Sequence, residues 1–157
     1  MKTADILRIE IRKGERKLLL LSGEQLVKTF SVAFGSTPTG PKEAKGDGRT
    51  PEGDYFVCVK NPESKYHLSL GLSYPNVRDA ERGLAAGWIT QAEHDAIVEA
   101  IHNGRIPPQD TALGGEIYIH GGGTNGDWTQ GCIGLADSDM TELFEMIPVG
   151  TLVSIEE

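Results

Sequence analysis

Short runs of alternating apolar residues, separated by glycines, constrain the fold of this chain more than any other feature. Ile9 and Ile11 alternate with charged residues, and Tyr55, Val57 and Val59 recur at the same spacing. A period of two residues is typical of β-strands, because successive side chains point to opposite faces of a sheet. Glycine supplies 20 of the 157 residues, and glycines between apolar runs suit turns that need a positive φ. The pattern predicts a mainly β fold of many short strands.

Further strands are predicted wherever the same alternation, or a short continuous apolar run, occurs. These are residues 18–21 and 26 onward as a hairpin, 30–34, 67–72, 117–119 and 151–155. Between them, residues 35–53 are rich in glycine, proline and threonine and predict a long loop. A loop of this length inside a compact domain is usually either functional or disordered.

The segment 76–114 has a different, helical pattern. Thr90 and Glu93 have the spacing of a capping box, in which the side chain of each residue accepts a hydrogen bond from the backbone N–H of the other. Ile97 and Ile101 then lie on one apolar helical stripe. We expect residues 76–114 to form a helical insertion that packs beside the sheet as a wall of its cleft.

A second helix is predicted near the C terminus, where Asp137 or Ser138 could act as its N-cap. The chain length suits one domain, which we place at residues 1–157. The predicted architecture is a mixed β-sandwich or partial barrel that carries the helical insertion and the C-terminal helix.

Charge, hydropathy and cysteine content exclude several classes of protein. The net charge is −8, and the only dense basic stretch, residues 12–17, is interpreted as the solvated end of a hairpin, so nucleic acid is not an expected partner. No apolar run approaches the ~18 residues of a membrane span. The first five residues lack signal-peptide features, so the protein is either cytosolic or has lost a leader. Two cysteines make no disulfide framework, and we expect Cys58 to be buried and inert.

One glycine-rich segment carries the residue types of an acyl-transfer site. His120 follows a predicted strand, Cys132 comes twelve residues later, and five glycines lie between them. A free thiol is a poor nucleophile near pH 7, because only a few per cent is ionised at a pKa of about 8.5, and an imidazole can take its proton. Glycines let backbone N–H groups approach a tetrahedral oxyanion. Each feature alone is more often structural, but their combination favours acyl transfer.

The same segment resembles the catalytic-domain signature of L,D-transpeptidases. His120-Gly121, followed by Thr129-Gln130-Gly131-Cys132, is similar to the family's His-Gly and Ser/Thr-x-Gly-Cys motifs. Further similarity to the branch related to murein transpeptidases occurs at residues 39–42, 46–53, 61–76, 127–129 and 148–151. The resemblance runs from about residue 6 to 155 and therefore covers nearly the whole chain.

This resemblance implies a reaction and a role for each motif residue. Cys132 would attack the carbonyl of the third residue of a peptidoglycan tetrapeptide stem and expel the terminal D-Ala. His120 would act first as base and then as acid. The carbonyl of Gly121 would fix the imidazole tautomer, and the backbone N–H groups of Gly131 and Cys132 would form the oxyanion hole. An amine acceptor would then resolve the thioester.

The resemblance also implies the setting of the reaction. The partners would be peptidoglycan stem peptides, in the periplasm or cell envelope, with no cofactor and with the chain as a monomer. Relatives often carry an arginine two residues after the cysteine, where this chain has Gly134, so the donor carboxylate needs another cation, for which Lys65 is one basic candidate. The candidate substrate-binding residues are His67, Gly122, Thr129 and Arg49.

Other functions remain open on the sequence alone. Residues 120–123 match the oxyanion loop of some lipases, but the G-x-S-x-G motif of that class is missing. The cysteines and histidines lack zinc-ligand spacing, so no metal is expected. An L,D-carboxypeptidase or amidase could act on the same stem, because nothing in the sequence reports the acceptor. Gly134 would suit a non-catalytic peptidoglycan-binding module, although such a module needs neither His120 nor Cys132.

Overall fold

The computed structural model describes residues 6–157, and its main element is one sheet of eight strands. The strands are β1 Leu7–Arg12, β2 Lys17–Ser22, β3 Gln25–Ser31, β4 Gly53–Ser64, β5 His67–Leu72, β6 Tyr118–His120, β7 Ile133–Gly134 and β8 Leu152–Glu156. Their order in the sheet is β3-β2-β1-β8-β4-β5-β6-β7, and the sheet curls into a half-barrel. The β1–β8 and β6–β7 pairs are parallel, which makes the sheet mixed. The predicted mainly β fold is confirmed as a partial barrel, while the interpretation of the first five residues lies outside the described range.

The two edges of the sheet meet just beyond β3. A regular strand was expected through Phe34, but β3 ends at Ser31, and only isolated bridges follow it. Ala33 exchanges two backbone hydrogen bonds of 2.9 Å with Gly134 of β7, at the opposite edge of the sheet. After Ser31 the backbone therefore leaves β2 and pairs with β7 across the opening of the half-barrel. For this reason the alternation predicted for residues 30–34 does not continue as one strand.

Three helices accompany the sheet: α1 Val77–Ala85, α2 Gln91–His102 and α3 Asp137–Met146. The capping box predicted at Thr90 and Glu93 is present and begins α2. A second capping box, formed by Asn76 and Asp79, begins α1 and was not predicted. Both helices lie within residues 76–114 and share a small core of their own, formed by Ala80, Ile89, Ile97 and Leu113.

Helix α3 packs against β5 and contributes Met140 and Leu143 to the main core. Its N-cap differs from the prediction, because the capping position is Ala136, which makes no side-chain hydrogen bond to the helix. The carboxylate of Asp137 instead accepts a hydrogen bond from the backbone N–H of Gly122, outside the helix. The predicted capping residue is thus used to hold a neighbouring loop.

The long loop at residues 35–53 is ordered by one buried lysine. Lys13 is only 4% exposed, and its ammonium group donates to the carbonyls of Gly40 and Thr50 at 2.9 and 2.8 Å. It also pairs with the carboxylate of Glu52 at 3.1 Å. These three contacts attach the loop to the end of β1.

Among residues 6–157, no helix is long and apolar enough to cross a membrane.

Candidate active site

His120 and Cys132 line the same cleft, which has a volume of about 1030 Å³. The parallel pairing of β6 with β7 explains this, since His120 ends β6 and Cys132 immediately precedes β7. The loop at 36–48, the β4–β5 hairpin and the segment that returns from the helical insertion complete the walls. From the insertion itself, only Gln109 and Gly114 reach the cleft, so the predicted wall is the return segment and not the helices.

The imidazole of His120 is fixed in one tautomer. Its Nδ1 lies 2.6 Å from the carbonyl oxygen of Gly121, and a carbonyl can only accept, so Nδ1 carries the proton. The predicted partner is therefore present, and Nε2 is left with its lone pair. Burial lowers the pKa of His120 below the usual 6.5, although the Gly121 carbonyl acts in the opposite direction. Near neutral pH the ring is therefore an uncharged base.

Two aromatic side chains enclose this imidazole. Tyr66 stacks on it with ring centres 4.7 Å apart and planes 24° from parallel, and Trp128 meets it edge-on at 5.5 Å. Trp128 also donates from Nε1 to the carbonyl of Gly123, so it anchors the loop that follows His120. Tyr66 lies 54 positions before His120 and no local pattern links the two, so this contact could not be predicted from the sequence.

The thiol of Cys132 is held by backbone groups. Its Sγ donates to the carbonyl of Glu116 at 3.2 Å and accepts from the N–H of Tyr118 at 3.4 Å. Burial raises the pKa of Cys132 to about 11, and the Tyr118 N–H only partly offsets this. Among the described hydrogen bonds, none joins Cys132 to His120. Cys132 is thus a protonated thiol at rest, and it would have to leave the Glu116 carbonyl before it could give its proton to the imidazole.

The other cysteine differs less from Cys132 than expected. Cys58, on β4, does not line the cleft, but both cysteines are partly buried, and burial raises the pKa of Cys58 to about 11 as well. Cys58 was expected to be buried, but the structure leaves it partly exposed. Any difference in their reactivity must come from neighbouring groups, above all His120.

The two backbone N–H groups predicted to form the oxyanion hole differ, because one already donates a hydrogen bond and the other is free. The N–H of Gly131 donates to Thr129 Oγ1 at 3.1 Å, and the same hydroxyl donates to the carbonyl of Cys132 at 2.7 Å. Within the described part of the chain, the N–H of Cys132 makes no hydrogen bond. This N–H is therefore available to a ligand, whereas the N–H of Gly131 must first leave Thr129.

Of the four candidate substrate-binding residues, only Thr129 lines the cleft. The imidazole of His67 is directed to Thr141 on α3, with 2.7 Å between Nε2 and Oγ1. Gly122 lies under the ring of Trp128, which would be 2.9 Å from a Cβ at that position. Arg49 pairs with Glu43 outside the cleft lining.

Gly134 occupies a crowded position in which a side chain would press on its neighbours. It is buried, and a Cβ there would lie 3.1 Å from the carbonyl oxygen of Gly123 and 3.4 Å from Nε1 of Trp128. The indole of Trp128 therefore takes the space into which an arginine of the relatives would have to grow.

The charge of the cleft is opposite in sign to that of the whole protein. Its lining includes four lysines and, among acidic residues, only Glu116. Lys42 is buried and paired with Asp47, while the other three are Lys45, Lys60 and Lys65. The ammonium group of Lys65 lies 5.5 Å from the ring centre of Tyr66, which itself stacks on His120. Such a cleft attracts carboxylates.

Residues 6–157 contain no cluster of three or more acidic, His or Cys side chains suited to a metal.

The fold is shared with solved structures of known proteins. The helical cell shape determining protein Pgp2 from Campylobacter jejuni matches with a TM-score of 0.66 at 20% identity, covering 99% of this chain and 49% of that one. An L,D-transpeptidase from Mycobacterium smegmatis matches with a TM-score of 0.58 at 10% identity, covering 98% of this chain and 59% of that one. At such low identities, these likenesses establish the fold alone.

Sequence comparison identifies the family. Over 87 residues, the chain is 36% identical to a protein of Escherichia coli (strain K12) named "Putative L,D-transpeptidase YafK", which covers 52% of this chain. The chain spans only about a third of the length of that relative, since the match covers 35% of it. The sequence profile of the L,D-transpeptidase catalytic domain matches residues 7–155, which is nearly all of the chain. This chain therefore belongs to the L,D-transpeptidase catalytic domain family.

Proposed function

We propose that this protein is a cysteine-dependent L,D-transpeptidase that acts on the tetrapeptide stems of peptidoglycan in the periplasm or cell envelope. One observation carries the proposal: His120, with its tautomer fixed by Gly121, lines the same cleft as Cys132. A binding module would need neither a base with a free Nε2 nor an adjacent thiol. No cofactor is required, because a thiol, an imidazole and backbone donors suffice for acyl transfer.

The first half-reaction acylates the thiol. Cys132 gives its proton to Nε2 of His120, and Sγ forms a bond to the carbonyl carbon of the third stem residue. The resulting oxyanion accepts a hydrogen bond from the N–H of Cys132, joined by the N–H of Gly131 once that group leaves Thr129. Collapse breaks the peptide bond, and the imidazolium gives its proton to the departing amine of D-Ala. The products are a thioester and free D-Ala.

The second half-reaction transfers the acyl group. An acceptor amine attacks the thioester carbonyl while Nε2 of His120 takes the proton that the amine loses. Breakage of the carbon–sulfur bond releases the new amide, and the proton returns from the imidazolium to Sγ of Cys132. Each half-reaction uses the same two side chains, so free enzyme is regenerated with no net change in protonation.

The lysines of the cleft support an anionic donor. The D-Ala that leaves carries a free carboxylate, and Lys45 and Lys65 line the cleft without a carboxylate partner among the described ion pairs. We assign them the carboxylate-binding role that Gly134 cannot fill. Lys60 is less suited, because its ammonium group lies 4.5 Å over the ring of Phe144.

The test is to incubate the protein with a disaccharide-tetrapeptide and to identify the products by mass spectrometry. Transpeptidation predicts free D-Ala together with a cross-linked product, or exchange of the terminal residue with an added D-amino acid. The Cys132→Ala variant should form neither product, and the Cys58→Ala variant should form both at the wild-type rate. Tripeptide without any amide product would assign a carboxypeptidase instead, and an unchanged substrate would assign a binding module.

A further inference from the structure

The hairpin that carries Tyr66 to the catalytic histidine contains a strained residue. His67 has a φ of +80°, in the left-handed region of backbone conformation that residues other than glycine rarely adopt. Such a conformation is strained and persists where the surrounding structure holds it in place. His67 follows the turn of the β4–β5 hairpin, and a hydrogen bond of 2.7 Å between its Nε2 and Oγ1 of Thr141 joins it to α3. The Thr141 hydroxyl gives its own proton to the carbonyl of Asp137, so His67 must be the donor.

Helix α3 holds a second loop from the same face. Asp137 and Thr141 are four positions apart, so their side chains are neighbours on the helix surface. The hydroxyl oxygen of Thr141 accepts a hydrogen bond from His67 of the β4–β5 hairpin. The carboxylate of Asp137 accepts one of 2.9 Å from the backbone N–H of Gly122, which lies two residues after His120. One helical face thus binds both segments that flank the imidazole.

The two segments meet at Gly121, where no side chain would fit. A Cβ at Gly121 would lie 2.6 Å from the carboxylate of Asp137, 2.7 Å from the carbonyl oxygen of Tyr66 and 3.1 Å from Cβ of His67. Gly121 is also the residue whose carbonyl accepts the Nδ1 proton of His120. Its position therefore determines where the imidazole lies and which tautomer it has.

We propose that His67, Asp137 and Thr141 are positioning residues for the catalytic histidine, and we name these three residues the α3 clamp. The clamp holds the Gly121 carbonyl beneath Nδ1 and keeps the ring of Tyr66 stacked on the imidazole. The strain at His67 is tolerated because this residue must join the hairpin tip to the helix. His67 thus acts through Gly121 and Tyr66 and does not contact substrate. The inference rests on the proposed function of His120 as the catalytic base.

The sharpest test is His67→Gly, because glycine adopts a φ of +80° without strain. The substitution removes the hydrogen bond to Thr141 but relieves the backbone, so the melting temperature should stay the same or rise. The rate at which the disaccharide-tetrapeptide acylates Cys132 at pH 7 should nevertheless fall about tenfold, as expected when a catalytic group is misplaced. A variant that gains stability and loses rate cannot be explained by a merely structural role. Full activity in His67→Gly would overturn the assignment.

The helical side of the clamp has its own matched variants. Asp137→Ala removes the acceptor for the Gly122 N–H and should slow acylation, whereas Asp137→Asn keeps an acceptor oxygen and should restore most of the rate. Asp139→Ala is the control, because it removes the same charge from the same first turn of α3, where both residues meet the helix dipole. Equal losses in Asp137→Ala and Asp139→Ala would show a dipole or stability effect and would refute the clamp.

A spectroscopic readout separates this inference from the proposed function. The ¹⁵N chemical shifts of His120 report which ring nitrogen carries the proton, and they need no turnover. The wild-type protein should show a single Nδ1–H tautomer, and both His67→Gly and Asp137→Ala should show a mixture. A mixture in the variants of an inactive protein would support the clamp while the transpeptidase proposal fails. An unchanged tautomer in both variants of an active protein would refute the clamp alone.

Discussion

Burial shifts the pKa values of the two proposed catalytic side chains in opposite directions, lowering that of His120 and raising that of Cys132 to about 11. Both groups are therefore uncharged near pH 7, and the resting site is a neutral pair and not a thiolate–imidazolium pair. At that pH only about one thiol in ten thousand would ionise unaided. In the proposed mechanism, His120 is thus needed for attack by Cys132 and not merely for protonation of the leaving amine.

This pairing predicts a particular pH dependence of alkylation. In wild-type protein, Cys132 should react with iodoacetamide near pH 7 much faster than Cys58, although burial raises both pKa values alike. In His120→Ala the rate at Cys132 should fall to that of Cys58 and then rise about tenfold per pH unit toward pH 11, as the thiol ionises directly. Peptide mapping of the labelled protein measures both sites at once. Rapid labelling of Cys132 in His120→Ala at pH 7 would show that the thiol is activated by another group.

A carbapenem should acylate Cys132. The thiol adds to the strained lactam carbonyl, the ring carbon–nitrogen bond breaks, and the nitrogen takes the proton from His120, so one whole drug mass is added. Intact-protein mass spectrometry should show that mass, and proteolysis should locate it on the peptide that contains Cys132. His120→Ala should slow the reaction at pH 7 by about 10²–10⁴-fold, the usual range for a general base. No adduct on demonstrably reduced Cys132 after long incubation would refute the proposed nucleophile.

At the scale of single elements, the loop at residues 35–53 depends on a lysine that lies outside it. Three acceptors surround the ammonium group of Lys13, which is almost fully buried. Burial lowers the pKa of Lys13, whereas Glu52 acts in the opposite direction. The loop in turn supplies Ser36 and Gly48 to the cleft wall, so this contact links β1 to the active site.

Replacement of this lysine should therefore affect both stability and substrate binding. Lys13→Met keeps the apolar stem but leaves two carbonyls and a carboxylate without their donor, which should lower the free energy of unfolding by about 3 kcal/mol. Urea denaturation measures that loss. The control Lys28→Met breaks an exposed ion pair with Glu142 and should change stability by no more than about 0.5 kcal/mol. Similar effects of the two substitutions would mean that the buried contact does not order the loop.

At the scale of the whole molecule, charge is distributed unevenly. The protein carries a net charge of −8, yet the cleft gathers Lys45, Lys60 and Lys65 around one acidic residue. A negative protein repels an anionic polymer in general, and a local positive field selects where such a polymer can approach. The cleft is therefore the surface on which we expect a ligand that carries a carboxylate, such as the proposed stem peptide, to bind.

This distribution predicts how binding responds to substitution and salt. Lys45→Gln and Lys65→Gln should each raise KM for the tetrapeptide several-fold while changing kcat little, because they remove attraction that is common to the ground and transition states. Added salt should weaken wild-type binding more than binding by the double variant, since ionic strength screens exposed charges. Lys17→Gln, which removes a lysine outside the cleft lining, is the control. A fall in kcat with unchanged KM would instead place these lysines in the chemical step.

The sequence by itself determined the elements whose signal is local. Alternation at Ile9 and Ile11 identified β1, the Thr90–Glu93 capping box identified the start of α2, and these agree with the structure. Both signals arise from side-chain spacing within a few residues, where backbone geometry alone decides which face a residue occupies. The motif that contains His120 and Cys132 likewise indicated the family, which the match over residues 7–155 confirms, and the two groups that we propose to react.

The tertiary structure decided every contact that joins distant segments. The stacking of Tyr66 on His120, the Gly122–Asp137 hydrogen bond and the closure of the sheet by Ala33 depend on strand order and curvature, which no local period encodes. The same holds for the raised pKa of Cys132, because burial by the folded chain is its largest cause. Residue types thus specify the chemistry that is possible, whereas long-range packing fixes the positions and protonation states in which the groups meet.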